Sequence, residues 1–191
     1  MAKSSVLRDL KANAPFSSRA GTKRALEMGA AGIVATLRAT VFGASTWRCA
    51  EQVRFPDGSG SRVCDLLTMS TWGSGPFDLH VVEVKCSTAD LNAELDAPHK
   101  SHPFRRMADF YWLAVGPDVT IDLDGDRVPS RWGVLRVERK GVEMLRAADR
   151  NLNPHSLGPA HVAAILRAAL NESSHANEPD TDRWAAKLRA L

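Results

Sequence analysis

Cysteine is scarce and irregularly placed in this chain, which argues against two common ways of stabilising a small protein. The three cysteines, Cys49, Cys64 and Cys86, are odd in number and widely spaced, unlike a framework of disulfides. No Cys-x-x-Cys pair is present, so the usual spacing of zinc ligands is missing. We therefore expect an apolar core, which 191 residues are enough to build on both faces of a sheet.

Long apolar runs are also missing from the sequence. No segment approaches the length of about 20 apolar residues that a bilayer-spanning helix needs. The first residues, Met-Ala-Lys-Ser-Ser, lack the apolar core of a secretory signal. These two absences predict a cytoplasmic protein with no membrane partner.

The overall charge says little about partners, because 25 basic and 22 acidic residues give a net charge of only +3. Local clusters of basic residues say more, since nucleic-acid affinity rests largely on contacts to phosphate. The clusters are Lys3, Arg8 and Lys11; Arg19, Lys23 and Arg24; Lys100, Arg105 and Arg106; and Arg131, Arg136, Arg139 and Lys140. A solvated surface that happens to be rich in arginine remains the alternative for each cluster.

The chain contains no internal repeat and no second core, which indicates one domain with short extensions. We predict a flexible arm over residues 1–17, a single domain over 18–170, and a polar linker with a C-terminal helix over 171–191. Trp184 lies on the apolar side of that last helix, which could dock on the domain or on a second subunit in a homodimer.

The order of helical and extended patterns predicts an α/β fold, with a sheet flanked by helices. A Pro-Asp-Gly turn after Phe55 predicts that the first two strands pair antiparallel as a hairpin. The basic segment 96–106 is predicted to be irregular. Predicted helices cover 18–41 (or from 22), 89–95, 159–170 and 180–191, and predicted strands cover 47–55, 61–69, 77–87, 108–115, 120–121, 132–137 and 141–149.

The strand over 77–87 is unusual because it carries two ionisable residues in an apolar run. Side chains alternate faces along a strand, so Glu83 and Lys85 share one face while Val82, Val84 and Cys86 share the other. A charged pair in such a strand is costly unless something satisfies it, and carboxylates in a cleft commonly hold a hard metal ion. Asp65 interrupts an apolar row on the neighbouring strand and is placed to be a second acid. An ion pair on an exposed sheet face is the alternative.

Two further acids compete to complete this site. Glu27 lies at the edge of the apolar stripe on the first helix, where it could reach a cleft at the sheet, although it could equally be solvent-exposed. Glu51, near the end of the first strand, is the other candidate. Ser87 and Asp90 follow the lysine and could contact substrate or water, but capping the short helix is the preferred interpretation.

These stretches together resemble the PD-(D/E)xK nuclease superfamily, and more narrowly its MmcB-like DNA-repair branch. The resemblance covers roughly Glu51 to Val137. It rests on Ser61-Arg-Val-Cys-Asp65, Val81-Val-Glu-Val-Lys-Cys-Ser-Thr-Ala-Asp90, Ala108-Asp-Phe-Tyr-Trp-Leu-Ala-Val115 and Trp132-Gly-Val-Leu-Arg-Val137. Val63 and Cys64 replace the Arg and Ala that precede the family's acid.

The resemblance implies a restriction-endonuclease-like core with a mixed central β-sheet, and a metal-dependent deoxyribonuclease active in DNA repair, recombination or phage-type DNA processing. Asp65, Glu83 and Lys85 would be catalytic, with Glu27 as the acid that the preceding helix often supplies.

Phosphodiester hydrolysis needs a neutralised anion and a hydroxide, which Mg²⁺, or Mn²⁺ as a substitute, can supply. Asp65 and Glu83 would bind the ion, with the backbone carbonyl of Val84 as a further ligand. Lys85 would orient the attacking water or stabilise the phosphate, and a lysine facing the metal would have a lowered pKa.

The DNA partner would be contacted by residues just beyond the motif. We expect Lys100, Arg105 and Arg106 to bind its backbone, with Ser87 as a weaker candidate. Two other functions stay open on sequence grounds: a catalytically inactive DNA-binding or scaffold module of the same fold, and an α/β domain that handles no nucleic acid.

Overall fold

A computed structural model describes residues 28–43, 47–57, 60–71, 77–97, 99, 101–138 and 140–176. The described helices are α1 (Ala30–Thr40), α2 (Thr88–Asp96), α3 (His102–Met107) and α4 (Pro159–Ala176). The strands are β1 (Trp47–Asp57), β2 (Gly60–Ser70), β3 (Leu79–Lys85), β4 (Phe110–Val115), β5 (Gly133–Glu138) and β6 (Gly141–Arg146). The predicted arm over 1–17 and the predicted C-terminal helix lie outside the described residues.

The strands form one six-stranded mixed sheet in the order β1-β2-β3-β4-β5-β6. The predicted hairpin is confirmed, since β1 and β2 pair antiparallel, and β2 pairs antiparallel with β3. Helices α2 and α3 connect β3 to β4, which lies parallel to it, and β5 continues in parallel. β6 then pairs antiparallel with β5 and forms the far edge. The chain is therefore an α/β protein with a mixed sheet flanked by helices, as predicted.

Apolar side chains cover both faces of the sheet. On the α1 face, α1 packs its buried residues Ile33, Val34 and Leu37 against the sheet in a cluster that includes Val82 and Val84. On the α2–α4 face, α2, α3 and α4 contribute Leu91, Phe104 and Ala164 to the other cluster. All six residues of β4 are buried, as expected of a central strand covered on both sides.

His80 lies on the α1 face, opposite the predicted site, as the alternation in β3 requires. Its ring stacks on Phe110 and Trp112 and meets Trp47 edge-on. Trp112 Nε1 donates a hydrogen bond to Nδ1 of His80 at 3.1 Å. Burial lowers the pKa of His80 to about 3, so this histidine is a neutral part of the core.

Several local predictions are wrong. Residues 102–107 form α3 rather than an irregular segment, because a proline suits a first helical turn and Phe104 and Met107, one turn apart, are both buried. Residues 120–121 are not a strand. Cys86 does not pack with the core but is exposed just after β3. Helix α4 also continues past Leu170 to Ala176, into the segment predicted as a linker.

No helix within the described ranges is both long and apolar enough to cross a membrane.

We predict that Gly133→Ala destabilises the protein by about 1–3 kcal/mol, the usual range for overpacking a core. Gly133 pairs with Trp112 across β4 and β5, and an added Cβ would overlap the indole ring and lie 2.8 Å from the Cβ of Ala148. Trp112 is itself held by its stacking and hydrogen bond with His80, so it cannot easily move aside. Urea unfolding would measure the loss.

Gly116→Ala is the matched control, because a Cβ there would make only ordinary contacts, at 3.6 Å or more, with Ile33 and the end of β3. We expect it to stay within about 1 kcal/mol of wild type. Equal stabilities for the two variants would contradict the packing at Gly133.

Candidate active site

The candidate site forms where β2 and β3 separate. Their described pairing runs from Met69 opposite Leu79 to Leu66 opposite Val82 and stops there. One residue beyond this point, Asp65 turns its carboxylate into the gap, and Oδ2 accepts a hydrogen bond from the backbone N–H of Val84 at 2.8 Å. The side chain of Asp65 therefore replaces the missing strand partner of Val84.

Gln52 on β1 holds the other oxygen of Asp65. Its Nε2 donates to Oδ1 at 3.0 Å. The paired register of the hairpin passes over Gln52 and Asp65, and Gln52 has a φ of 49°, which is uncommon outside glycine. The expected alternation of faces also breaks here, since Cys64 packs on the α2–α4 face and Leu66 on the α1 face, two residues apart. This local irregularity in both strands turns Asp65 toward β3.

Glu83 and Lys85 face the α2–α4 side of the sheet, where a third ionisable residue meets them. Lys85 Nζ lies 3.1 Å from Oε1 of Glu83 and 3.3 Å from Oε2 of Glu94, which comes from α2. All three side chains are at most 15% exposed. Asp90 is farther from Lys85 Nζ, at 4.0 Å, and half exposed. A single ammonium is thus buried between two carboxylates.

The acids at this site outnumber the bases, and the pKa values of Glu83 and Lys85 are both raised. Burial, and then the nearby charge of Asp65, raise the pKa of Glu83 to about 7, although Lys85 opposes the shift. Burial lowers the pKa of Lys85, but Glu83 and Glu94 outweigh it and the net shift is upward. That direction is opposite to the one expected for a lysine facing a metal ion. In the protein alone, Lys85 is a firmly charged ammonium.

A cleft of about 270 Å³ opens beside these residues. Its walls come from β2, β3, α2 and the start of α3, and its lining residues are Ser61, Arg62, Val63, Glu83, Glu94, Ser101 and Phe104. The volume suits a hydrated ion or a phosphate group rather than a large organic ligand. The cleft therefore leaves room for a small polar solute beside the buried acids Glu83 and Glu94.

The donors near the gap fit a hard divalent cation. Asp65 and Glu83 supply carboxylate oxygens. Burial and then repulsion from Asp65 raise the pKa of Glu83, and a cation would relieve that repulsion. N–H and C=O of one strand residue point the same way, so the carbonyl of Val84 faces the gap with its N–H. Within the described residues, no three His, Cys, Asp or Glu side chains form a metal-holding group by themselves. A bound cation would thus depend on the Val84 carbonyl and water.

The remaining predicted site residues have other contacts. Ser87 caps α2, its Oγ accepting from the Asp90 N–H at 3.1 Å, which confirms the capping interpretation. Arg105 lies over the ring of Trp132 at 5.2 Å, and Arg106 hydrogen-bonds His155. Both arginines belong to the last turn of α3, whose first turn lines the cleft.

Three further residues of the predicted site are Glu51, Glu27 and Lys100. Glu51 forms an ion pair with Arg38 of α1, 2.5 Å from Oε1 to Nη1. Its carboxylate is therefore paired with a side chain of α1. Glu27 and Lys100 lie outside the described residues.

Sequence reasoning missed Glu94 and Gln52. Glu94 follows the buried Leu91 by three residues, so it lies on the face that α2 turns to the sheet, and an acid in that apolar stripe was a readable signal. Gln52 gave no such signal, because its role depends on a backbone conformation that the sequence does not specify.

Comparison with known proteins leaves the family unassigned. No protein-family model matches the chain, and no curated protein matches it. Among solved structures, the chain is similar to the SPO1766 protein of unknown function from Silicibacter pomeroyi, with 21% sequence identity and a TM-score of 0.45 over 75% of this chain and 82% of the other.

We predict that Glu83 makes the apoprotein less stable as the pH rises. Its folded-state pKa of about 7 lies above the ordinary glutamate value of 4.5, so the folded state binds more protons between these values and stability is lost as the pH rises through 7. In a chelating buffer, Glu83→Gln should therefore lose less stability than wild type between pH 5 and pH 8. The difference should be on the order of 2 kcal/mol, measured by urea unfolding.

Glu143→Gln on the exposed face of β6 is the control and should follow wild type. Parallel pH profiles for wild type and Glu83→Gln would show that Glu83 titrates normally.

Proposed function

We propose that the protein is a Mg²⁺-dependent deoxyribonuclease of the PD-(D/E)xK type. The observation that carries the proposal is the meeting of Asp65 and Glu83 at the gap between β2 and β3, with Lys85 buried beside them. The order of elements supports it too: a helix, three antiparallel strands, a helical connection and a parallel fourth strand are what the proposed restriction-endonuclease-like core requires.

The metal ligands in this proposal are Asp65, Glu83 and the carbonyl of Val84. A Mg²⁺ ion there would act as a Lewis acid on the phosphate and lower the pKa of a bound water. The chain's part is to hold the donors in advance. Gln52 and the Val84 N–H fix both oxygens of Asp65, so this carboxylate needs little reorganisation to bind a cation.

Lys85 supplies the positive charge that the reaction needs. Its ammonium is largely buried, where an interaction with a charged phosphate is stronger than in water. It keeps its proton in the protein alone because two carboxylates face it. Lys85 would therefore stabilise the negative charge that develops on the phosphate, rather than act as a base.

DNA is the proposed substrate because basic residues lie on the elements that form the walls of the acidic cleft. Arg62 lines the cleft, and Arg105 and Arg106 lie on the helix whose start forms its wall. Such residues position a nucleic-acid backbone without reading its sequence. Repair, recombination or phage-type DNA processing are the settings in which such an activity would be used.

A catalytically inactive DNA-binding or scaffold module is the second candidate. The ion pairs of Lys85 favour it. One oxygen of Glu83 already contacts the ammonium, so Glu83 would have to bind both the lysine and the metal. Salt-sensitive DNA binding, with no cleavage of single-stranded, duplex, flap or junction DNA in Mg²⁺ or Mn²⁺, would support this module over a nuclease.

We expect Glu83→Gln and Lys85→Met each to reduce DNA cleavage by at least about 100-fold, the scale for removing one group that stabilises a charged transition state. Glu83→Gln removes a metal ligand, and Lys85→Met removes the charge while keeping most of the side-chain volume. Cleavage of a panel of DNA structures in Mg²⁺ and Mn²⁺ is the measurement.

Glu138→Gln, at the exposed end of β5, is the matched control and should cleave like wild type. Circular dichroism would verify that all variants fold. Cleavage at the wild-type rate by both site variants would assign the activity to other residues or to a contaminant, and the proposal would fail.

A further inference from the structure

Glu94 is the buried acid that the proposed metal site leaves unused. Its side chain is 8% exposed and lines the cleft together with Glu83. Oε2 accepts from Lys85, while Oε1 is buried and has no hydrogen-bond partner among the described residues. A buried carboxylate with an unpaired oxygen lowers the stability of a fold, so its presence in the cleft calls for an explanation.

The position of Glu94 is fixed by the start of its helix. α2 begins directly after β3, with Ser87 as its N-cap, and Leu91 anchors its inner face in the core. Glu94 follows Leu91 by one turn, so it points back over the end of β3 at Lys85. The side chains of Glu94 and Lys85 are therefore held in contact by the packing of α2 against the sheet.

A metal ion would change the surroundings of Lys85. In the protein alone, the ammonium is shared between Glu83 and Glu94 at similar distances. A cation held by Asp65 and Glu83 would draw Glu83 away from the lysine and would itself repel the ammonium. Glu94 contacts Lys85 through Oε2, so it is the carboxylate left to balance the lysine.

Resting on the proposed nuclease function, we propose that Glu94 is a positioning residue that holds Lys85 in the cleft, toward the phosphate, when a divalent cation occupies Asp65 and Glu83. Asp90 does not fill this role, since it is half exposed and 4.0 Å from the ammonium. Glu94 also lines the cleft, so it lies beside the space that a phosphate would occupy.

Glu94→Gln tests the proposal, because it keeps the shape of the side chain and removes its charge. We expect kcat for DNA cleavage to fall about 10- to 100-fold, which is the range for residues that orient the groups of a metal site without binding the metal themselves. KM for DNA and the affinity for Mn²⁺, measured by calorimetry, should stay within about twofold of wild type. Asp96→Asn is the control on the same helix, since Asp96 is exposed and pairs with Arg127.

Three results would overturn the proposal. Wild-type kcat in Glu94→Gln would show that Lys85 needs no such support. A fall of tenfold or more in Mn²⁺ affinity would make Glu94 a metal ligand instead. Failure of the wild-type protein to cleave any DNA would remove the proposed function itself, and is recognisable because it appears before any substitution is made.

A second measurement, independent of activity, tests the contact. Urea unfolding of Lys85→Met, Glu94→Gln and the double variant forms a double-mutant cycle. If Glu94 acts through Lys85, the double variant should lower the unfolding midpoint by less than the sum of the two single changes. Additive changes would show that the two side chains are not coupled and would overturn the positioning role.

Discussion

The hydrogen bond from the Val84 N–H to the Asp65 carboxylate is the constraint on which the candidate site depends. A buried backbone N–H must find an acceptor, and at this point β2 no longer offers a carbonyl to β3. The acceptor is a side chain, so the site arises from an interruption of regular pairing. Asp65 turns into the gap, the Val84 carbonyl faces it, and Glu83 lies next along the strand. Without the separation of β2 and β3, the same residues would sit in an ordinary ladder.

The second feature of the site is its imbalance of charge. Lys85 is shared by Glu83 and Glu94, while Asp65 adds a further negative charge close to Glu83. The field of these acids also reaches their neighbours, since burial and then Glu83 and Asp65 raise the pKa of the Cys64 thiol. Buried carboxylates beyond what one lysine can neutralise are unfavourable in a structural role. A bound cation, together with a role for Glu94 in holding Lys85, would account for these acids. The proposed metal site and the proposed role of Glu94 thus explain the same excess of negative charge.

The sequence predicted some features of this arrangement and missed others. The hairpin followed from its turn residues, and the opposite faces of Val82 and Glu83 followed from alternation in β3. The short helix α3 was missed because its histidine, proline and arginines outweighed two buried apolar residues in the pattern. Glu94 was missed because a helix is predicted from its apolar residues, although the spacing from Leu91 places this acid on the same buried face.

Composition, turn chemistry and the period of the apolar residues therefore determined the α/β class, the hairpin and the shared face of Glu83 and Lys85. These are local properties, since they depend on backbone geometry that repeats every two or 3.6 residues. Only the tertiary structure decided where β2 and β3 separate, that Gln52 takes a positive φ beside Asp65, and that α2 brings Glu94 onto Lys85. Each of these joins residues from different elements, and the contacts form only when those elements pack.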